Sequence, residues 1–235
     1  MNRNIWKEIQ SWIVVILVVL VLRATFVEGM LVPTQSMDST ILIGDAILFS
    51  RFIYGVKLPF INKTIMPGRS PKVGNIIAFK SPVDNRNLVK RCIALEGDTV
   101  QIINKTVYVN GKMRHELYTQ FTDHSVYTGT TWNPELEHMW ENGDLYKNVD
   151  PRMIRDNFGP VVVPKNCVFM MGDNRDESFD GRYWGPLQKQ ALLGKPLVIY
   201  MSIDLGGPRQ NMLEILKFWQ WKGIRVNRIG RAIIS

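Results

Sequence analysis

LVKRCIALEGDTVQII, residues 88–103, is the stretch that decides the fold. It contains two short runs rich in apolar and β-branched residues, 88–95 and 98–103, separated by a turn at Gly97, and this pattern is typical of β-strands. TVYVNG (106–111) follows through Asn104-Lys105, a two-residue connection that predicts a hairpin. Runs of the same character lie at 45–49, 75–79, 161–163, 167–171 and 192–201. Short strands at this spacing predict a mainly β protein, built as a barrel or a sandwich.

Residues 112–160 differ from the rest of the body. They are polar, rich in Trp, His, Asn and Asp, and only weakly periodic. We interpret them as an inserted second lobe that elaborates the surface. The β domain then comprises residues 29–111 and 161–235, and residues 1–28 precede it.

The N-terminal segment contains WIVVILVVLVL at 12–22, which is apolar on every face and therefore unlike a soluble amphipathic helix. Extended to residues 9–27, it has roughly the ~20 residues that a transmembrane helix needs. Arg23 interrupts it near one end, where a long side chain reaches the headgroups. The alternative is a cleaved signal peptide, but residues 23–28 offer no small-x-small cleavage site. We therefore predict a single transmembrane helix as an uncleaved anchor within residues 1–28.

Basic residues set the orientation of this anchor. Arg3 and Lys7 precede the span, and the first basic residue after Arg23 is Arg51. The positive-inside rule places the N-terminus in the cytoplasm. The β domain then lies outside the cytoplasm.

The net charge of +8 suits either nucleic acid or anionic lipid. Residues 212–235 combine five Lys or Arg residues with Phe218, Trp219 and Trp221. A domain tethered to a membrane meets headgroups first, so we expect the lipid bilayer as partner and no nucleic acid. The alternative is that these tryptophans pack against the β domain.

Cysteine and histidine usage gives no metal site, because the spacing of a zinc site is absent. His115, His124 and His138 are interpreted as solvated loop residues. Cys92 and Cys167 both lie in apolar runs, which favours two free buried thiols over a disulfide. We expect neither a metal nor another cofactor.

Three local features carry candidate chemistry, and each alone is ambiguous. Ser36 follows the predicted anchor closely, but a serine needs a base to become a nucleophile. Lys90 lies in an apolar run: burial would lower its pKa and make it a general base, whereas a strand that alternates faces would point it to solvent. The loop after residue 171 is dense in Gly, Asp and Asn. It is either a generic acidic turn or a loop whose Ser178 hydroxyl accepts a hydrogen bond from Lys90, and its spacing does not match a calcium-binding EF-hand loop.

Together these features resemble one family, the bacterial type I signal peptidases, which use a Ser–Lys dyad. The matching motifs occur in order along the chain: PTQSMDSTILIGD (33–45), VGNIIAF (73–79), LVKRCIALEGD (88–98), MMGDNRDESFDGRYWG (170–185) and RVNRIGRAI (225–233). The last motif and the inserted lobe are similar to those of Gram-negative members. The resemblance covers most of the chain outside residues 112–160.

The resemblance implies roles for individual residues. Ser36 would be the nucleophile and Lys90 the general base. The backbone N–H of Ser36 and the hydroxyl of Thr34 would form the oxyanion hole. Ser178 would orient Lys90, while Asp180 and Arg182 would be a structural pair in the same loop. Four positions depart from the usual family pattern, of which Gln35, in place of glycine, is nearest the nucleophile; the others are Ser39, Asn75 and Glu96.

The resemblance also implies the activity. We expect a membrane-bound serine endopeptidase, a monomer in the cytoplasmic (inner) membrane with its catalytic domain in the periplasm, that removes signal peptides from exported preproteins. Two alternatives stay open. One is a specialised relative that matures a single secretion, pilus or conjugation protein. The other is a non-catalytic membrane-anchored β module that binds peptides. A self-cleaving repressor with the same chemistry would carry a DNA-binding domain instead of a membrane segment.

Overall fold

The computed structural model of the chain describes residues 6–16, 27–58, 61–207 and 221–234. Residues 6–16 are helical (α1) and their side chains are exposed. In these described ranges, no helix combines the length and apolarity required to traverse a bilayer. Residues 17–26 of the predicted span lie outside the described part of the chain, and the first strand begins at Val27.

The main sheet has eight strands, and the prediction of a mainly β protein is confirmed. Seven of them lie in the order β1-β2-β13-β5-β6-β11-β12, and β14 pairs with β13. Their bounds are β1 Val27–Leu31, β2 Asp45–Ser50, β5 Ile76–Lys80, β6 Asn87–Leu95, β11 Cys167–Met171, β12 Leu187–Gln188, β13 Leu192–Asp204 and β14 Gly223–Ile224.

Strand β13 curls this sheet, because its beginning pairs with β5 and the rest of it pairs with β2. Register shifts interrupt both pairings, as β-bulges do where a sheet bends. At the crossing, Gly194 lets the two strands touch: a Cβ there would lie 2.1 Å from the Ser50 carbonyl oxygen. The curled sheet brings β1 and the turn after it close to β6.

A second sheet has the order β10-β7-β8-β9, with β7 at Thr99–Ile103, β8 at Thr106–Val109, β9 at Lys112–Met113 and β10 at Phe158–Val162. Asn104 and Lys105 close the predicted hairpin, both with positive φ, as this turn type requires. The predicted lobe at 112–160 therefore shares a sheet with strands at 99–109. The limits given for the lobe stay a prediction.

Short helices complete this part of the chain: α2 Pro134–Glu141, α3 Leu145–Asn148 and α4 Arg152–Arg155; α5 is Gly181–Trp184, after β11. Trp140 of α2 is fully buried between this sheet and β11, where its indole donates to the Gly181 carbonyl. A separate hairpin is formed by β3 (Gly55–Leu58) and β4 (Ile61–Pro67).

Residues 221–234 pack against the main sheet. Arg228 forms a buried ion pair of 2.6 Å with Asp45, the first residue of β2. Trp221 packs beside Ile203 and Leu205, so its role here is structural packing. Phe218 and Trp219 lie outside the described residues. The prediction of two free thiols is confirmed, since Cys92 and Cys167 are both buried and unbonded.

Candidate active site

Lys90 lies in the middle of β6, opposite Ile77 of β5, and only 3% of its surface is exposed. Arg91, its neighbour, is equally buried, so the alternative in which Lys90 points to solvent is wrong. Burial disfavours the ammonium form and lowers the pKa of Lys90 from 10.5 to about 8, against the opposing charge of the Asp180 carboxylate. A substantial fraction of the amine is therefore neutral near pH 8.

The amine of Lys90 donates a hydrogen bond of 3.0 Å to the Ser178 hydroxyl. Ser178 belongs to residues 172–180, here called the Ser178 loop, which connects β11 to α5. Asp180 caps α5 through the Arg182 N–H, and it also accepts from the Gly172 N–H across the loop. The sequence folds this way because Asp is a preferred residue at a helix N-cap.

Asp180 and Arg182 form a buried pair, in which two guanidinium nitrogens donate to the two carboxylate oxygens at 2.9 Å each. Burial would raise the pKa of Asp180, but the Arg182 guanidinium outweighs it and the pKa lies below its usual value. The same guanidinium donates to the carbonyls of Arg155, Arg175 and Ser178. The pair therefore fixes the shape of the Ser178 loop, and with it the position of the hydroxyl that meets Lys90.

Ser36 lies in a turn formed by residues 34–41, here called the Ser36 turn, which follows β1. The Thr40 and Ile41 N–H groups donate to the Met37 carbonyl, and Met37 and Ile41 anchor the turn in the core. The hydroxyls of Thr34 and Ser36 lie 3.3 Å apart. Among the described residues, the Ser36 N–H has no hydrogen-bond acceptor. This N–H and the Thr34 hydroxyl are therefore available to a ligand.

Gly172 is where the Ser36 turn meets the Ser178 loop. A Cβ on Gly172 would lie 2.4 Å from the Ser36 carbonyl oxygen and 2.3 Å from the Ser178 hydroxyl oxygen. The Asn174 N–H donates to the same Ser36 carbonyl at 3.2 Å. The structure thus brings together Ser36, Thr34 and the Lys90–Ser178 pair, although they are far apart in sequence.

Gln35, which stands beside the candidate nucleophile where the family usually has glycine, fits into the Ser36 turn. Its side chain donates to Glu177 at 3.1 Å, and its carbonyl accepts from the Asn174 side chain at 3.3 Å. Gln35 therefore ties the Ser36 turn to the Ser178 loop a second time.

An apolar cavity opens beside Ser36. About 10 Å³ of it is open to the centre of a water-sized sphere, which is room for a single water molecule. The walls come from β1, the Ser36 turn and the start of β6, namely Met30, Val32, Pro33, Thr34, Ser36, Met37, Asn87, Leu88 and Val89. Within the described ranges, no cluster of His, Cys, Asp or Glu has the makings of a metal site.

Sequence reasoning missed a buried ion pair behind the site. Arg91 donates to both carboxylate oxygens of Asp173, at 2.8 and 2.7 Å, and Thr40 donates to the same carboxylate at 2.7 Å. This cluster joins β6, the Ser178 loop and the Ser36 turn. Its members are individually ordinary, and only the presence of Arg91 inside an apolar run hinted that it needed a buried partner.

Comparison with known proteins defines a class of peptidases. The family model described as signal peptidase, peptidase S26, matches residues 5–201. Signal peptidase I of Buchnera aphidicola subsp. Schizaphis graminum is 31% identical over 264 residues, covering 96% of this chain and 81% of the relative. The signal peptidase I of Pseudomonas aeruginosa is 32% identical over 208 residues, which cover 82% of this chain and 71% of the relative. That of Rickettsia bellii is 30% identical over 261 residues, which cover 100% of this chain and 88% of the relative.

The chain therefore belongs to the signal peptidase family, peptidase S26. It is a hydrolase of the serine endopeptidase class, and its reaction is the removal of signal peptides.

Proposed function

We propose that the chain cleaves signal peptides from exported preproteins with Ser36 as nucleophile and Lys90 as general base. The observation that carries this assignment is the buried Lys90 amine, with its pKa lowered to about 8, held by Ser178 in the cluster that contains Ser36. A lysine with this pKa is half deprotonated near pH 8, so its neutral, basic form is present close to physiological pH.

The reaction is an acyl transfer in two steps. Neutral Lys90 takes the proton of the Ser36 hydroxyl while its oxygen attacks the scissile carbonyl. The oxyanion accepts hydrogen bonds from the Ser36 N–H and the Thr34 hydroxyl. The Lys90 ammonium then protonates the leaving amine, which departs as the N-terminus of the mature protein. Lys90 next takes a proton from water, which attacks the Ser36 ester. Lys90 then returns this proton to the Ser36 oxygen as the signal peptide leaves, and the new carboxyl group ionises in water.

The small cavity beside Ser36 supports a preference for small residues in the substrate. A space that holds one water molecule favours a small side chain over a large one. The substrate would bind extended between β1 and the start of β6, which wall the cavity. Residues at the −1 and −3 positions would then point into apolar pockets.

Membrane anchoring is part of the proposal. In α1, apolar residues are exposed on all sides of the helix, from Trp6 and Trp12 to Ile16. Such a surface suits a hydrocarbon surrounding better than water. The anchor would continue through residues 17–26 to β1, with the N-terminus in the cytoplasm and the β domain in the periplasm.

A basic cavity lies at the end of the sheet where β1 begins. Val27 pairs with Ser50, and Ser50 pairs with Lys195 on the other side. Lys195 lines a cavity of about 440 Å³ together with Arg69, Lys72 and apolar side chains, and no carboxylate lies among its walls. This arrangement supports contact with the anionic headgroups around the anchor.

The experiment is cleavage of purified preproteins by the detergent-solubilised enzyme, with the new N-terminus identified by mass spectrometry. A preprotein with Ala at −1 should be cut at one bond, and its −1 Phe variant should not be cut. Equal cleavage of both would contradict the assigned cavity. Membrane anchoring is tested separately: residues 29–235 should lose most of their retention on anionic vesicles, and full retention would contradict the anchor.

A further inference from the structure

Residues 116–120, here called the strap, contact β6, the Ser36 turn and the Ser178 loop, although they belong to the predicted surface lobe. We propose that Tyr118 in this strap is a positioning residue, which holds the Ser36 turn and the Ser178 loop in the geometry that the reaction needs. The inference rests on the proposed function of Ser36 and Lys90. It assigns a catalytic purpose to a segment that the sequence presents as surface elaboration.

The first contact is made by the Tyr118 ring. The Arg91 guanidinium carbon lies 3.7 Å from the centre of this ring. Arg91 is the partner of Asp173, and this ion pair joins β6 to the Ser178 loop. An aromatic face over a guanidinium attracts its charge and keeps water away, so the ring strengthens the pair beneath it.

The second contact reaches the Ser36 turn. The Ser39 hydroxyl donates to the Tyr118 carbonyl at 2.7 Å. Ser39 has a φ of +94°, a region of backbone conformation that side chains other than glycine rarely adopt. Such a conformation persists only where surrounding contacts hold it. The strap supplies one of these contacts, three residues from the proposed nucleophile.

The third set of contacts fixes the Ser178 loop. The Gln120 N–H donates to the Asp173 carbonyl at 2.8 Å, and the Arg175 N–H donates to the Gln120 carbonyl at 2.9 Å. Glu116 forms a buried ion pair of 2.8 Å with Arg175, and the Tyr118 hydroxyl donates to Glu116 at 2.7 Å. The strap is therefore bonded to the loop through backbone and side chains.

These contacts converge on Asp173 and its neighbours. Asn174, the next residue, holds the Ser36 carbonyl, and Gly172, the one before, separates Ser36 from Ser178. A shift of the strap would thus move the Ser36 turn relative to the Lys90–Ser178 pair. None of the strap's partners lines the apolar cavity, so substrate binding should not depend on Tyr118.

The test compares variants of the full chain in detergent. Tyr118→Ala should lower kcat about 10- to 100-fold, the size expected for small misplacements of reacting groups, with KM unchanged. Tyr118→Phe keeps the ring over Arg91 and should stay within about threefold of the parent kcat. The adjacent Leu117, 97% exposed, gives the matched control, and Leu117→Ala should behave like the parent.

A pH profile separates positioning from plain stabilisation. A looser Ser178 loop admits water to Lys90, so the acid limb of kcat/KM should move to higher pH in Tyr118→Ala. A merely structural role would lower the thermal midpoint and leave both kcat per folded enzyme and the acid limb in place. If Tyr118→Ala does not fold, Tyr118→Leu, which keeps apolar bulk over Arg91, should show the same loss of kcat.

Three results would overturn the inference: parental kcat in a folded Tyr118→Ala or Tyr118→Leu enzyme, a loss confined to KM, or an equal loss in Leu117→Ala. The proposed function is judged separately, by cleavage with the parent enzyme and its loss in Ser36→Ala. Tyr118 results do not bear on that comparison.

Discussion

The Lys90 amine donates to the Ser178 hydroxyl at 3.0 Å in a setting from which water is excluded. Burial lowers the pKa of Lys90 to about 8, so the amine is protonated and inactive as a base at lower pH. We predict that kcat/KM rises about tenfold per pH unit below pH 8 and levels off above it. A pH–rate profile on one preprotein measures this, and a rate already at its plateau at pH 5 would contradict the role of Lys90.

The burial that makes Lys90 a base should also lower the stability of the fold. The folded pKa of about 8 lies below the ordinary 10.5, so the unfolded chain binds the proton more tightly and Lys90 destabilises the fold below pH 8. Lys90→Met should therefore raise the free energy of unfolding at pH 7 by up to about 3 kcal/mol, less the lost bond to Ser178.

This stabilisation should shrink as the pH rises from 8 through 10.5, because the unfolded parent also loses its proton in this range and folding then no longer requires the release of a proton. Denaturant unfolding of the parent and the variant at pH 7 and pH 10 measures both differences. A variant that is less stable at pH 7, or a gap that does not change with pH, would refute the buried-base account.

The hydroxyl of Thr34 is assigned to the oxyanion. Thr34→Val keeps the shape of the side chain but removes the donor, and we predict a fall in kcat of about 10²- to 10³-fold with little change in KM. Thr34→Ser keeps the hydroxyl and is the matched control, expected to retain most of the activity. Similar kcat values for the Val and Ser variants would contradict the assignment of the Thr34 hydroxyl to the oxyanion hole.

Gly172 should tolerate no side chain. In Gly172→Ala the new methyl would lie 2.4 Å from the Ser36 carbonyl and 2.3 Å from the Ser178 hydroxyl, so both groups must move. We predict a fall in kcat of at least about 10²-fold, because the reacting groups separate. Gly29→Ala is the control, since its nearest neighbour is the end of the exposed Tyr200 side chain at 3.3 Å. Equal activity in both variants would show that the contact at Gly172 is relaxed without consequence.

Local pattern predicted much of the fold. The strands around Lys90, the hairpin at Asn104-Lys105 and the long run at 192–201 were all visible as β-branched segments with turn residues between them. The curl of the sheet was not, because it depends on register shifts along β13 and on the contact at Gly194, which are tertiary features. Strands β3 and β4 were also not predicted; the apolar residues of β4 are interrupted by three successive polar ones, Asn62, Lys63 and Thr64.

The candidate site also has a part that could be predicted from the sequence and a part that could not. Ser36, Lys90 and Ser178 were predicted by resemblance to a family. Their residue types also indicate a nucleophile, a base and a hydroxyl that orients the base. The Arg91–Asp173 pair and the Tyr118 stack were not foreseen, because an ion pair between residues 82 positions apart leaves no local signal. The expectation that residues 112–160 merely elaborate the surface took no account of the strap, whose contacts appear only in three dimensions.

The most direct measurement is preprotein turnover by the parent enzyme and by Ser36→Ala, under identical conditions in detergent. The account predicts that Ser36→Ala folds normally and loses activity by at least about 10³-fold, as removal of a serine nucleophile does. Ser125→Ala, a change to an exposed serine on the lobe, should cleave like the parent. Cleavage by a folded Ser36→Ala enzyme at a tenth of the parental rate or more would contradict Ser36 as the nucleophile.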